Sequence, residues 1–309
     1  MLPKVARQTV FKHQPDDTPR LANLVTMENP SSVFAEVNKI LFALDPGRDI
    51  KPLKGVFHDI VKLFSGQYPG YRKCNTPYHD LKHSTDTLLA MARLIHGAQA
   101  SGITLQKRDI LLGLVAALMH DVGYIQQASE TRGTGAQFAQ VHISRGIVFM
   151  RSYLKNNGFS SYDYRKCRAA VLCTDLNLPI TAIVFETQSN ARIGKILATA
   201  DLIGQTSDRC YLEKLRFLYQ EFREAGINAY NSEIELLEDS LIFNEHMKSR
   251  LAKDLDGMDH YLTAHFQSRW GIGKNLYHES INNNLKYLKY FLKAKGKHYS
   301  RFLNRMEAP

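Results

Sequence analysis

An all-α fold is what this sequence predicts, and three observations predict it. Apolar residues recur at three- and four-residue spacing from residue 32 almost to the end of the 309-residue chain. No segment sustains the alternation of a half-buried strand, and no turn dipeptide joins two β-branched runs. No repeat at a fixed period points to a solenoid. The expected architecture is a compact bundle of about ten helices.

The elements follow in order. Residues 1–30 are polar, carry Pro3, Pro15, Pro19 and Pro30, and read as an extended N-terminal arm. A single domain is expected over 31–295. It opens with "SSVFAEVNKILFALD", a Ser cap ahead of Val33, Val37, Ile40, Leu41 and Leu44. "LKGVFHDIVKLFSG" repeats the pattern and stops at Gly66, and 67–77 reads as a loop. Further helical segments are expected near 82–98, 108–120, 138–155, 165–175, 190–203 and 208–225, with weaker ones near 232–252, 257–268 and 277–293. The Gly/Ser/Thr-rich stretch 126–137 either covers a pocket or is a plain connector. The part of the chain beyond about residue 226 is expected to close one side of the pocket. Residues 296–309 form a basic tail.

Composition narrows the function. A hydrophobic fraction of 44% with 23% charged residues is that of an ordinary globular protein. No apolar run approaches the ~20 residues of a membrane span, and the N-terminus lacks the apolar core of a secretory signal. A cytoplasmic protein with no membrane partner is expected. Cys74, Cys167, Cys173 and Cys210 form no CxxC pair and read as reduced thiols. The net charge of +10 attracts anions such as phosphate esters. Much of it lies at Lys286, Lys289, Lys293, Lys295, Lys297, Arg301 and Arg305. With no RRM, KH or zinc-finger pattern beside it, this reads as a solvated helix face and tail rather than a nucleic-acid patch.

The chemistry lies in polar residues that interrupt apolar helices. "ILLGLVAALMHDVGY" (110–124) is buried by its composition yet ends in His120-Asp121. "IGKILATADLIG" (193–204) carries one acid, Asp201. "TPYHDLKHSTDTLL" (76–89) places His79 and His83 one turn apart, on one face if the helix has begun by His79. Burying such groups is costly unless they are paired or hold a cation. A shared cation held by His83, His120, Asp121 and Asp201 is the economical explanation. Two imidazoles and two carboxylates suit Zn²⁺, Fe²⁺ or Mn²⁺ better than Ca²⁺.

The order His…His-Asp…Asp resembles the HD-domain metal-dependent phosphohydrolases. It is more closely similar to the catalytic domain of the class I cyclic-nucleotide phosphodiesterases. That domain has Pro-Tyr-His-Asn-x-x-His where this chain has "PYHDLKH" (77–83). Its His-Asp-Val, Ala-Thr-Asp and Cys-Ala-Asp-Leu stretches correspond to "ALMHDV" (117–122), "VLCTDL" (171–176) and "ATADLIG" (198–204). The likeness spans about residues 70–225. It implies an HD/PDEase-type helical fold with His83, His120, Asp121 and Asp201 on a tightly held Zn, Fe or Mn ion. Asp121 would also reach a second, weaker Mg or Mn ion. His79 would be the general acid, Tyr78 would line the substrate pocket, and Thr174 and Asp175 would support the ligands. The implied function is metal-dependent hydrolysis of a phosphate ester or nucleotide.

The chain departs from that pattern in several places. "AQVHISRG" (139–146) keeps His142 but not the family's Glu, which leaves His142 either a second-ion ligand or a water contact. "HDVGYIQ" has Gly123 and Tyr124 where the family has an acid and a histidine, and Asp80 stands in place of Asn. The family reads the purine with a Gln followed three residues later by an aromatic; the comparable pair here is Gln267 and Trp270. A nucleotidase of the wider HD group, and a non-catalytic metal-stabilised protein that binds an anionic partner, are the alternatives.

Overall fold

The computed structural model describes residues 20–295, and helices α1–α11 account for most of them. They are α1 (Pro30–Leu44), α2 (Lys51–Ser65), α3 (Leu81–Ala100), α4 (Lys107–Met119), α5 (His142–Asn156), α6 (Ser161–Leu172), α7 (Gln188–Thr206), α8 (Tyr211–Glu224), α9 (Glu233–Lys253), α10 (Tyr261–Trp270) and α11 (Leu276–Lys295). Among the described residues there is no strand, only an isolated bridge between Tyr71 and Gln127. No described helix is long and apolar enough to cross a membrane. The predicted tail 296–309 and residues 1–19 of the predicted arm lie outside the described residues.

Helix α3 is the axis of the bundle. Its residues from His83 to Ala98 are buried without interruption, because α1, α4, α7 and α10 all pack against it. Its apolar positions, Leu88, Leu89, Met91, Leu94 and Ile95, are fully inaccessible. Helix α4 is apolar on nearly all faces for the same reason. A smaller cluster, with Leu212, Leu237, Leu288 and Phe291 at its centre, ties α8, α9 and α11 together.

The structure corrects several sequence expectations at helix ends. Asn29, not a serine, caps α1: its Oδ1 accepts from the Ser31 and Ser32 amides at 2.9 and 3.3 Å, with Pro30 as the first helical residue. The segment expected from 138 becomes α-helical only at His142, after a 3₁₀ turn at Gly135–Phe138. Helix α6 begins earlier than its apolar stripe, at a Ser160–Asp163 capping box. Of the expected arm, Leu21, Leu24, Val25 and Met27 pack on the core. The stop at Gly66 holds: it closes α2 in the left-handed conformation, φ 77°.

Candidate metal centre and its cavity

The site forms where the start of α3, the end of α4, the start of α5 and the middle of α7 converge. Asp80 caps α3, its Oδ1 accepting the His83 amide at 2.8 Å. That fixes the first turn and turns the His83 ring inward. His79 therefore precedes the helix rather than sitting one turn below His83 on it. Its carbonyl accepts from the Thr76 hydroxyl at 2.8 Å, and its ring still comes within 6.0 Å of the His83 ring, centroid to centroid.

The four expected ligands meet. His83 Nε2 and His120 Nε2 are 3.2 Å apart. Asp121 Oδ2 lies 3.2 Å from each of them. Asp201 Oδ1 lies 3.2 Å from His83 Nε2 and 3.6 Å from His120 Nε2. The ligand atoms of His83, His120 and Asp121 all fall within 4.8 Å of one another. His120 Nδ1 donates to the Ala117 carbonyl at 2.9 Å, which directs the Nε2 lone pair inward.

This arrangement calls for a positive charge. Two inward imidazole nitrogens at hydrogen-bond distance need a proton or a cation between them. Asp121 Oδ2 is buried, with only these two imidazole nitrogens within reach. The neighbouring carboxylates favour the protonated imidazoles. Burial opposes the charge on His83, but hydrogen bonds with Asp121 and Asp201 and their negative charge outweigh it, raising the pKa to about 9. His120 is raised well above the usual value against the same burial. Burial would raise the Asp121 and Asp201 carboxyls, yet the two imidazoles hold both well below the usual range. A divalent cation is the natural replacement for those protons, and the donor set fits one.

His142 stands on the other side of Asp121. Its Nδ1 donates to the Ala139 carbonyl at 2.6 Å, and its Nε2 lies 3.7 Å from Asp121 Oδ1. Burial lowers its pKa, and Asp121 offsets only part of that. The His142 Nε2 faces the carboxylate at a distance suited to an ion or water between them. Gly123 makes this approach possible, since a Cβ there would lie 1.8 Å from the His142 carbonyl oxygen. No acid could replace it without moving α5.

Sequence reasoning missed three side chains. Glu221 of α8, 3% exposed, accepts from the Tyr78 amide at 2.7 Å and sits 2.6 Å from His79 Nδ1. Its only sequence signal is an acid at the edge of the stripe Leu215, Leu218, Phe222. Tyr124 stacks between His79 and His142, with centroids 4.2 and 4.5 Å away and interplanar angles of 11° and 21°. Gln205, one turn after Asp201, accepts from the Tyr78 hydroxyl at 2.6 Å. Tyr78 lines the cavity as expected, but its hydroxyl is thereby committed.

A cavity of about 310 Å³ opens over His79, His83, Asp121, His142 and Asp201. Thr174 and Asp175 line it at the turn after α6, and Tyr230, Leu236, Asp239, Ser240 and Phe243 close the far side, as expected of the chain beyond residue 226. None of residues 126–137 lines it. That stretch is a connector stapled by Gln126 Nε2 to the Arg132 carbonyl at 2.9 Å and by Arg145 to Glu130 at 2.9 and 2.8 Å. Gln267 and Trp270 do not line the cavity either.

The sequence model of the Npun_R2479-like family matches residues 127–277. That span holds His142, Asp201 and Glu221 but not His79, His83, His120 or Asp121. No curated protein and no solved structure matched the chain.

Proposed function

We propose that this protein is a metal-dependent phosphohydrolase of the HD/PDEase type, acting on a phosphodiester. The observation that supports it is the convergence of His83, His120, Asp121 and Asp201 beside a histidine–glutamate pair in one cavity. His83, His120, Asp121 and Asp201 would hold one Zn, Fe or Mn ion, and Asp121 with His142 would reach a second, weaker Mg or Mn ion. Such ions would supply Lewis acidity to neutralise phosphoryl charge and acidify water.

The remaining work falls to the chain. His79 donates a proton from its ring to the departing alkoxide. Glu221 fixes the orientation of that ring through Nδ1. Tyr124 stacks against the ring and limits its rotation. Tyr78 presents an apolar face to the substrate while its hydroxyl holds Gln205. The chain is cytoplasmic in this reading, and its basic helix face is solvated rather than bound to nucleic acid.

A structural metal site is usually closed and has no poised acid beside it, so the open cavity and His79 favour catalysis over a binding-only role. The test is an activity panel with Mn²⁺, Mg²⁺ and Zn²⁺ on bis-p-nitrophenyl phosphate, cyclic AMP, cyclic GMP and nucleoside mono- and triphosphates. Metal-dependent diester hydrolysis is expected. A metal-free protein that resists chelators and turns over none of these overturns the reading.

A further inference from the structure

The cavity beside the histidines is one-sided in its chemistry. Among the described residues that line it there is no lysine or arginine, while Asp121, Asp175, Asp201 and Asp239 all line it. Away from the histidines its wall is Leu215, Leu218, Phe222, Ile227, Leu236 and Phe243, drawn from α8, α9 and the connection between them.

Asn177 and Tyr211 also line the cavity, and three further polar groups near the wall already have partners. The Tyr230 hydroxyl donates to Asp239 Oδ2 at 2.7 Å. The Ser240 hydroxyl donates to the Leu237 carbonyl at 2.6 Å. Gln205 Oε1 is taken by Tyr78, and its amide nitrogen lies 3.3 Å from the Asp201 carbonyl. Gln267, which the sequence resemblance would assign to a purine, is exposed on α10. Trp270 packs on His265 and Phe266 instead, with centroids 5.4 and 5.8 Å away.

We infer that the organic part of the substrate is an uncharged apolar or aromatic group carried on a single phosphoryl centre, rather than a nucleotide read at its base edge or a polyphosphate. This rests on the phosphohydrolase reading and narrows it. A polyphosphate would bring several negative charges into an acid-lined cavity with no side-chain cation to offset them. A heterocycle's edge groups would lose water against that wall, where the Gln205 amide and the Tyr230 and Ser240 hydroxyls are already engaged. An alkyl or aryl group exchanges water for the leucine and phenylalanine wall and gains with each methylene buried. The cavity is also at the small end of the ~300–1,000 Å³ typical of ligand pockets.

The test is calorimetric titration of the purified protein, in excess Mn²⁺, with methyl-, butyl- and hexylphosphonate, AMP and pyrophosphate. Affinity is expected to rise about two- to fourfold per methylene, with hexylphosphonate tighter than AMP or pyrophosphate. Leu218→Asp should flatten the series. A flat series in the wild type, tighter AMP or pyrophosphate, a slope that survives Leu218→Asp, or no phosphonate binding at any length would overturn the inference. Hydrolysis of bis-p-nitrophenyl phosphate separates the two proposals. A chain-length slope without any hydrolysis leaves the apolar wall standing and removes the phosphohydrolase; hydrolysis with a flat series does the reverse.

Discussion

His79 Nδ1 and Glu221 Oε2 stand 2.6 Å apart, joined across 142 residues of sequence. The same carboxylate accepts the Tyr78 amide, so it holds both the ring and the backbone that carries it. Glu221 is a positioning residue in this account, since it acts on substrate only through His79. Glu221→Gln should lower kcat for diesters by about 10²-fold, the lower part of the range for lost acid catalysis. KM and metal content should hold, and Glu221→Asp should recover part of the rate. Steady-state kinetics with metal analysis of each variant checks this; a KM effect alone would assign Glu221 to packing. His79→Ala should likewise leave metal content intact and slow diester turnover.

The proposed metal centre makes a prediction about pH. In the metal-free chain the folded-state pKa of His83 is raised, from 6.5 to about 9. The stability carried by its proton is therefore fully present below pH 6.5 and is lost as the pH rises through about 9. A bound cation takes over the proton's role and removes that loss. Thermal unfolding of chelator-treated protein should fall to lower temperature across this window, while Mn²⁺-loaded protein should hold. Elemental analysis should find at least one equivalent of transition metal in the wild type and far less in His120→Ala and Asp201→Ala. Equal metal content in the wild type and both variants would dismiss the ligand set.

Much of this was legible before the fold was known, for a physical reason. Buried helices must be apolar, so His120, Asp121 and Asp201 stand out as exceptions in the sequence, and their convergence follows from the cost of burying them alone. The helices themselves were visible in the apolar stripes, down to the stop at Gly66. What was hidden depends on local backbone or on distant pairing. Asn29 outcompetes the serines as the α1 cap because Pro30 starts the helix ahead of both. His79 lies outside α3 because Asp80 caps it. Glu221 belongs to a charged, half-buried helix, and nothing in "FLYQEFRE" says that one of its acids meets a histidine near residue 80.

Gly123 should prove intolerant of any side chain. Its Cβ would collide with the His142 carbonyl carbon and oxygen at 2.6 and 1.8 Å, both backbone atoms at the start of α5 that no rotamer change relieves. Gly123→Ala is expected to cost about 1–3 kcal/mol, the scale of overpacking in a well-packed region. It should also carry His142 away from Asp121 and so weaken a second ion more than the first. Urea unfolding and Mn²⁺ titration together check this. Unchanged stability would mean that α5 gives way freely, and His142 would then have no fixed place at the site.

Asp80 offers the sharpest separation of structure from specificity. The phosphodiesterases that this stretch resembles carry Asn at the corresponding place, and the exchange could concern either the substrate or the helix. The geometry favours the helix: Asp80 Oδ1 accepts the His83 amide at 2.8 Å, a bond that an Asn side-chain oxygen makes equally well. Asp80→Asn should leave stability within a few tenths of a kcal/mol and substrate preference unchanged. Asp80→Ala should cost about 1 kcal/mol and loosen the turn that aims His83, so metal affinity should drop with it. Measuring metal affinity and the relative rates on aryl diesters and cyclic nucleotides for both variants decides the matter. A change of preference in Asp80→Asn with stability intact would place residue 80 in substrate recognition instead.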